Sequence, residues 1–329
     1  MSEPAASPLA RSGAPRWSAR VAGGGRLSKR PLRTVLWRQR EYLLLSLPCI
    51  AFFAVFHYAP MYGVIIAFKD FGFGDTLASA PWVGLRWFEE FLSSMYLWRV
   101  LRNTVVLSLL TLIVGFPVPI IFALVVNEIA GTGFKRVVQT VSYMPHFIST
   151  VIVVGILYQV LSVQHGYVNQ IRAALGLEKI FFLLEPRYFR AMYVTSEVWQ
   201  GFGWGSIIYL AAMSSINPEL YEAAHIDGAL RRQQMWHVTL PGIRPTIVIL
   251  LIFTVGNLMN VGFEKIVLLY NPAVYEVADV VQTYVYRRGI QEFQWSFAAA
   301  VGLFNSLINF TLLLAANAVS RRLNQASLW

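Results

Sequence analysis

Apolar residues in this chain fall into six long blocks separated by shorter polar stretches. The blocks lie near residues 42–67, 104–127, 139–162, 190–213, 244–263 and 296–318. A helix needs about 20 mostly apolar residues to cross a hydrocarbon core of about 30 Å, and each block is long enough. The fourth and sixth carry polar side chains but keep the length. The expected fold class is an all-α polytopic membrane protein with six transmembrane helices. The expected organisation is a basic tail over 1–40, a six-span domain over 41–325 and a short tail over 326–329.

Composition supports this class. Hydrophobic residues make up 56% of the 329 positions, charged residues 13%, and the mean hydropathy is +0.53. Soluble domains carry about 25% charge. The net charge of +10 raises the question of nucleic acid. Its position argues against that partner: residues 1–40 hold nine Lys/Arg against Glu3 alone. This Ala/Ser/Gly/Pro-rich tail reads as disordered, and its basic end abuts the first apolar block, as a positive-inside flank does. The first block begins too late and runs too long for a signal-peptide core. The lone Cys49 excludes an internal disulfide.

An even number of spans puts both termini on one side. On that assumption the terminal side carries 16 of the 27 Lys/Arg and 6 of the 17 Asp/Glu, so it is read as cytoplasmic. Three connections on the other side, near 68–103, 163–189 and 264–295, are long enough for small helices. The chain has no GxxxxGK[ST] phosphate loop. If ATP supplies the energy, another chain holds the nucleotide.

The most patterned segment is the polar connection 217–241. Asn217 is a good N-cap and Pro218 suits the first helical position. Glu219 and Glu222 favour the first turn, and Gly228 can supply a left-handed stop. A second short helix is expected from about Leu230 to Val238, ended by Leu240-Pro241-Gly242, with Pro245 starting the next span. Leu220, Ala223, Ala224 and Asp227 share one stripe, with small residues that let a partner approach closely. Such a helix–turn–helix suits insertion into a groove. The alternative is an amphipathic hairpin lying on the membrane.

The spacing Glu222-Ala223-Ala224, Gly228, then Val238-Thr239-Leu240-Pro241 resembles the EAA loop of binding-protein-dependent ABC importer permeases, with Val238 in place of isoleucine. Tyr58–Asp70, Asn103-Thr104, Asn127-Glu128, Pro145–Ser149 and Phe263-Glu264 resemble its carbohydrate branch, especially oligosaccharide and polysaccharide permeases. The resemblance covers roughly 40–325. It implies a permease subunit of the bacterial cytoplasmic membrane that carries a sugar or oligosaccharide by alternating access. It also implies a second homologous permease, an ATPase pair holding ATP and magnesium, and an extracytoplasmic solute-binding protein. This chain would need no cofactor of its own. Glu222, Ala223, Ala224, Asp227, Gly228, Val238, Leu240 and Pro241 would form the ATPase-coupling surface.

Polar side chains inside spans call for a function, because burial in lipid is costly unless they pair or face a cavity. Glu197, Trp199 and Gln200 in span four are candidates for the substrate path. So are Asn257 and Asn260 in span five, and Asn305 and Asn309 in span six. Interhelical hydrogen bonding is the competing role. The glycines of spans four and five suit close helix packing. His225 and His237 lack a third ligand, so no metal site is expected. No GxSxG, HExxH or paired acidic motif points to a membrane enzyme. The same machinery with a non-sugar solute is the nearer alternative.

Overall fold

The computed structural model describes residues 40–323 and 326–328. Apart from Arg40, the basic tail lies outside the described residues. The chain divides into two units, one ending at Met61 and the other beginning at Tyr62. In the first, the helix Arg40–Phe53 passes through a wide turn, Ala54–Tyr58, into Ala59–Met61, and none of these residues is buried. With the narrow turn Tyr62–Phe68 they make an apolar helical run, α1 (Arg40–Phe68).

In the second unit a short helix, α2 (Arg86–Ser93), precedes the long α3 (Leu97–Asn127). Then come α4 (Thr132–Phe147) and α5 (Thr150–Leu161), which meet at 97°. A short α6 (Tyr167–Ala174) leads to α7 (Pro186–Ser214), α8 (Pro218–Ile226) and α9 (Arg231–Gly256). Three short helices follow, α10 (Phe263–Leu269), α11 (Tyr275–Ala278) and α12 (Val281–Tyr286), before α13 (Trp295–Arg322). The described residues contain no strand, only one bridge pairing Lys69 with Trp82.

Among the described residues, four helices are long and apolar enough to cross a membrane: α1, α3, α9 and α13. The bent pair α4–α5 brings the number to five if it counts as one span. The expected fourth span, 190–213, lies in a 29-residue helix, α7. It has the length but not the apolar character, because Arg187, Arg190, Glu197 and Gln200 interrupt it. The expected continuous span 139–162 is also corrected. Ile148 is extended, and Ser149 accepts a hydrogen bond from the Ile152 amide, so α5 starts anew with a side-chain cap. The expected span 244–263 stops at Gly256, and Asn257 and Asn260 lie in the break beyond it rather than in a helix body.

The second loop helix expected over 230–238 is not a separate element. It continues without a stop into α9, despite Pro241 and Pro245. The reason is the wide turn Met235–Thr239, whose following residue, Leu240, donates to the Met235 carbonyl five residues back. A proline ring collides with the carbonyl four residues earlier and donates no hydrogen bond. A wide turn just before it makes room and leaves a carbonyl free where the proline has nothing to give. Pro60 and Pro117 stand in the same relation to the wide turns Ala54–Tyr58 and Thr111–Gly115.

Helix α7 lies at the centre of the second unit. Its Phe189, Tyr193 and Val194 pack with Leu107, Val154, Ile266, Leu269 and Val280. Its Tyr209 and Met213 pack with Ala123 and Ile243. A Cβ built on Gly203 would collide with the Ser142 carbonyl oxygen, so α7 and α4 meet backbone to backbone. The connection after α11 is anchored by Asp279, which is fully buried. Its carboxylate accepts from Arg99 at 3.1 Å, Arg287 at 2.8 Å and Thr283 at 2.9 Å. Burial works to lower the Arg287 pKa, but the hydrogen bond and charge of Asp279 outweigh it and leave it raised. At the other end of the chain, the Leu328 amide donates to Asn317 at 2.9 Å, so residues 326–328 turn back onto α13.

Gly203→Val is expected to lower the thermal midpoint of the detergent-purified protein, since overpacking costs about 1–3 kcal/mol. Gly201→Ala should leave the midpoint unchanged, because nothing lies within 4 Å of a Cβ there. Equal midpoints for both variants would refute the close approach at Gly203.

Candidate functional site

Helices α3, α7 and α9 line an open-sided chamber of about 440 Å³. Its lining is mostly apolar, with Glu197, Asn257, Asn260, Thr254 and the Tyr193 hydroxyl among the polar groups. Three of the expected substrate-path residues, Glu197, Asn257 and Asn260, therefore meet at one cavity. Trp199, Gln200, Asn305 and Asn309 do not line it. Gly201 and Gly205 do, and they add no side chain to it.

The polar residues around the chamber mend the two breaks in the helices. At the first break, Gln200 Nε2 donates to the Ile148 carbonyl at 2.8 Å. One turn on, the Trp204 ring stacks on His146 at 4.7 Å. At the second break, the Met259 amide donates to Asn309 Oδ1 at 2.9 Å and the Gly262 amide donates to the Tyr193 hydroxyl at 2.9 Å. Asn305 Nδ2 donates to Asn260 Oδ1 at 3.1 Å. Gln200, Asn305 and Asn309 thus each make a hydrogen bond to another element, while Trp199 is exposed on α7.

Glu197 has a partner that the pattern of residues did not reveal. Lys265, only 2% exposed, reaches Glu197 Oε1 at 2.6 Å and Gln200 Oε1 at 3.0 Å. The chamber therefore presents Glu197 as half of an ion pair. The available signal was a lysine inside the apolar run Phe263–Leu269, where a cation needs an acid nearby.

The 217–241 segment forms a second, surface site. Asn217 caps α8 by accepting from the Glu219 amide at 3.1 Å. Gly228 has φ 77°, and the Ala229 amide reaches back to the Ala224 carbonyl at 2.9 Å, the left-handed closure that ends a helix. Tyr221 bonds Thr239 at 2.9 Å and ties α8 to the start of α9. Ala224, Asp227, Gly228 and Val238 line a shallow hollow of about 260 Å³ between the two helices. Glu222 and Ala223 are exposed on the outer face, and Leu240 and Pro241 lie within α9. Leu220, Ile226, Leu230 and Trp236 are exposed apolar side chains on the same segment.

Residues 115–325 match the model of the binding-protein-dependent transport system inner membrane component. The chain belongs to this family. It is thus a membrane component of a transport system rather than an enzyme. The chain is 41% identical over 292 residues to the polygalacturonan/rhamnogalacturonan transport system permease protein YteP of Bacillus subtilis, covering 88% of this chain and 91% of that one. Protein LplB of the same organism is also 41% identical, over 89% and 92% of the two chains. Among solved structures, a bacterial ABC transporter for import of the acidic polysaccharide alginate matches with a TM-score of 0.82 and 42% identity. That match covers 89% of this chain and 99% of that one. A second structure of a bacterial alginate ABC transporter, in complex with an alginate pentasaccharide-bound periplasmic protein, matches with a TM-score of 0.83 at 41% identity, over 91% and 100% of the chains. The nearly all-helical permease fold of this family is thus the fold of this chain.

The Lys265–Glu197 pair gives an ordered prediction. Glu197→Leu strands a buried ammonium and is expected to cost about 3 kcal/mol or more. Lys265→Met leaves a carboxylate that water reaches, and should cost less. The double variant should be more stable than Glu197→Leu alone. Thermal unfolding in detergent reads all three, and an additive double variant would refute the pairing.

Proposed function

We propose that this chain is one half of the translocation pathway of an ABC importer that moves an oligosaccharide, and specifically a uronate-containing one, by alternating access. The observation that carries the importer reading is the 217–241 segment. There a short exposed helix, capped at Asn217 and closed at Gly228, is tied by Tyr221 to Thr239 of an apolar helix that runs on unbroken from Arg231. A push on α8 is then transmitted along α9 to the Asn257 break beside the chamber. Glu222, Ala223, Ala224, Asp227, Gly228, Val238, Leu240 and Pro241 form or support the surface that docks on the ATPase. Glu222 supplies the charge contact. ATP and magnesium belong to the ATPase pair, and a second permease completes the pathway.

In this reading α7 and the bent pair α4–α5 are both spans, which makes six and puts both termini in the cytoplasm. The basic tail over 1–40 then acts as the cytoplasmic flank of α1. An extracytoplasmic binding protein delivers the cargo to the side opposite 217–241. The uronate reading draws on the relatives named for polygalacturonan and alginate, both polymers of uronic acids. It also draws on the Glu197 charge, which Lys265 balances at 2.6 Å, so that an anionic sugar meets no bare carboxylate. Glu197, Asn257 and Asn260 offer hydrogen bonds to hydroxyls from the chamber wall.

Glu222→Lys and Gly228→Asp are each expected to abolish uptake by the assembled importer and to weaken copurification of the ATPase. Normal uptake with normal copurification in both variants would overturn the docking role. For the cargo, the cognate binding protein should be stabilised against heat by tri- to pentagalacturonate. Stabilisation by amino acids or peptides alone would overturn the sugar reading.

A further inference from the structure

A second chamber, of about 480 Å³, lies between α10, α12 and the first three turns of α13. Its volume is in the usual range for small-ligand sites, about 300–1,000 Å³. Helix α9 leaves the 217–241 segment and α13 begins after α12, so this chamber sits at the end of the bundle away from that segment. Its lining includes three aromatic residues, Phe263, Tyr286 and Trp295, and two amides, Gln282 and Asn305. Phe263 and Tyr286 pair at 5.3 Å. Trp295 continues outward into Phe73, which stacks on it at 6.2 Å and is 94% exposed.

The two amides are incompletely satisfied. Gln282 Nε2 and Asn305 Nδ2 both donate to the same atom, Asn260 Oδ1, at 3.1 Å each. Gln282 Oε1 and Asn305 Oδ1 are buried and accept nothing, although Asn305 as a whole is 7% exposed. Buried amide oxygens nearly always find a donor. Their terminal torsions are soft, so these oxygens can turn to a donor that arrives from the chamber they line.

The shared acceptor ties the two chambers together. Asn260 lines the inner chamber, while Gln282 and Asn305 line the outer one. Gly262 lines the inner chamber and Phe263, the next residue, lines the outer. The segment 260–263 with its two amide partners is therefore a thin polar partition between two cavities.

We propose that the outer chamber is a second sugar subsite, in which one ring of an oligosaccharide rests on Phe263, Tyr286 or Trp295 and gives hydroxyl hydrogens to Gln282 and Asn305. It rests on the carbohydrate reading above. Aromatic rings offer the apolar face of a sugar a platform, and amide oxygens accept from its hydroxyls. Both are here, and the acceptors lack partners. When those amides turn toward sugar they release Asn260, and the partition loosens. An oligosaccharide is thus held by its leading ring in the inner chamber and by a following ring in the outer one.

Two glycines supply the test. Gly302 lines the outer chamber and Gly201 the inner one, and a Cβ on either meets nothing within 4 Å. Gly302→Cys and Gly201→Cys are made separately in a Cys49→Ser background, in the full importer purified in detergent. A small methanethiosulfonate reagent is added with and without trigalacturonate, and modification of this chain is read by mass. With trigalacturonate at about ten times its dissociation constant, both cysteines should react about tenfold more slowly, because about one site in ten is then empty.

Slowing at 201 without slowing at 302 overturns the outer subsite and leaves the function reading intact. Slowing at neither position overturns the carbohydrate path itself. Shielding of 302 by the unliganded binding protein, or by lipid before sugar is added, assigns the chamber to those occupants and also overturns the proposal. If Gly302→Cys fails to assemble, Val285→Cys probes the same wall.

Discussion

Inside a bilayer a backbone group that leaves the helical ladder has no water to turn to, and each unsatisfied group costs several kcal/mol. The structure follows from that constraint. The chain breaks its helices at two places near the chamber, and at each break polar side chains from neighbouring helices satisfy the freed groups. Gln200 takes the Ile148 carbonyl, Asn309 takes the Met259 amide, and the Tyr193 hydroxyl takes the Gly262 amide. The polar residues of α7 and α13 look out of place in an apolar sequence. They are where they are because the breaks are where they are.

The breaks in turn make the chamber. A continuous α9 would carry its apolar side chains past Asn257. By stopping at Gly256 it exposes Asn257 and Asn260 on the wall and brings α10 inward, so that Lys265 reaches Glu197. Lys265, just beyond the second break, bonds Gln200 as well as Glu197, and Gln200 bonds the first break, so the two breaks are joined. The two breaks are thus linked through two side chains, Lys265 and Gln200. The anchored Asp279 cluster holds α11 and the residues after α12 against α3.

Much of this was legible in the sequence. The blocks of α1, α3 and α13 could be read because hydrocarbon thickness sets a length that apolar runs must meet. The 217–241 spacing could be read because a cap, a charged first turn and a left-handed glycine are local features. The break at Ile148–Ser149 had local signals too, in Pro145 and in a serine just before an apolar run, but an average over 20 residues hides them. The continuity of α9 through Leu240-Pro241-Gly242 was misread because prolines count as stops unless a wide turn precedes them, and no residue pattern marks that turn. Lys265 was missed because its partners are Glu197 and Gln200, more than 60 positions away on another helix. Of the candidate path residues, Gln200 and Asn309 bond freed backbone groups and Asn305 bonds the Asn260 side chain, and only the folded arrangement separates these from the chamber-lining Glu197, Asn257 and Asn260.

The wide turns have a geometric consequence of their own. Each places one extra residue in a helical repeat, and one residue advances an α-helix by about 100°. The stretches before and after Met235–Thr239 are therefore out of phase, so a single amphipathic stripe drawn along α9 mixes two faces. Removing one residue from that turn would leave an ordinary helix of the same composition. The flanking stretches, with Ile243, Ile252 and Gly256, would keep their places, but Pro241 would again meet the carbonyl four residues before it. Along this chain the wide turns set the angular register by which a surface loop and a buried cavity share one helix.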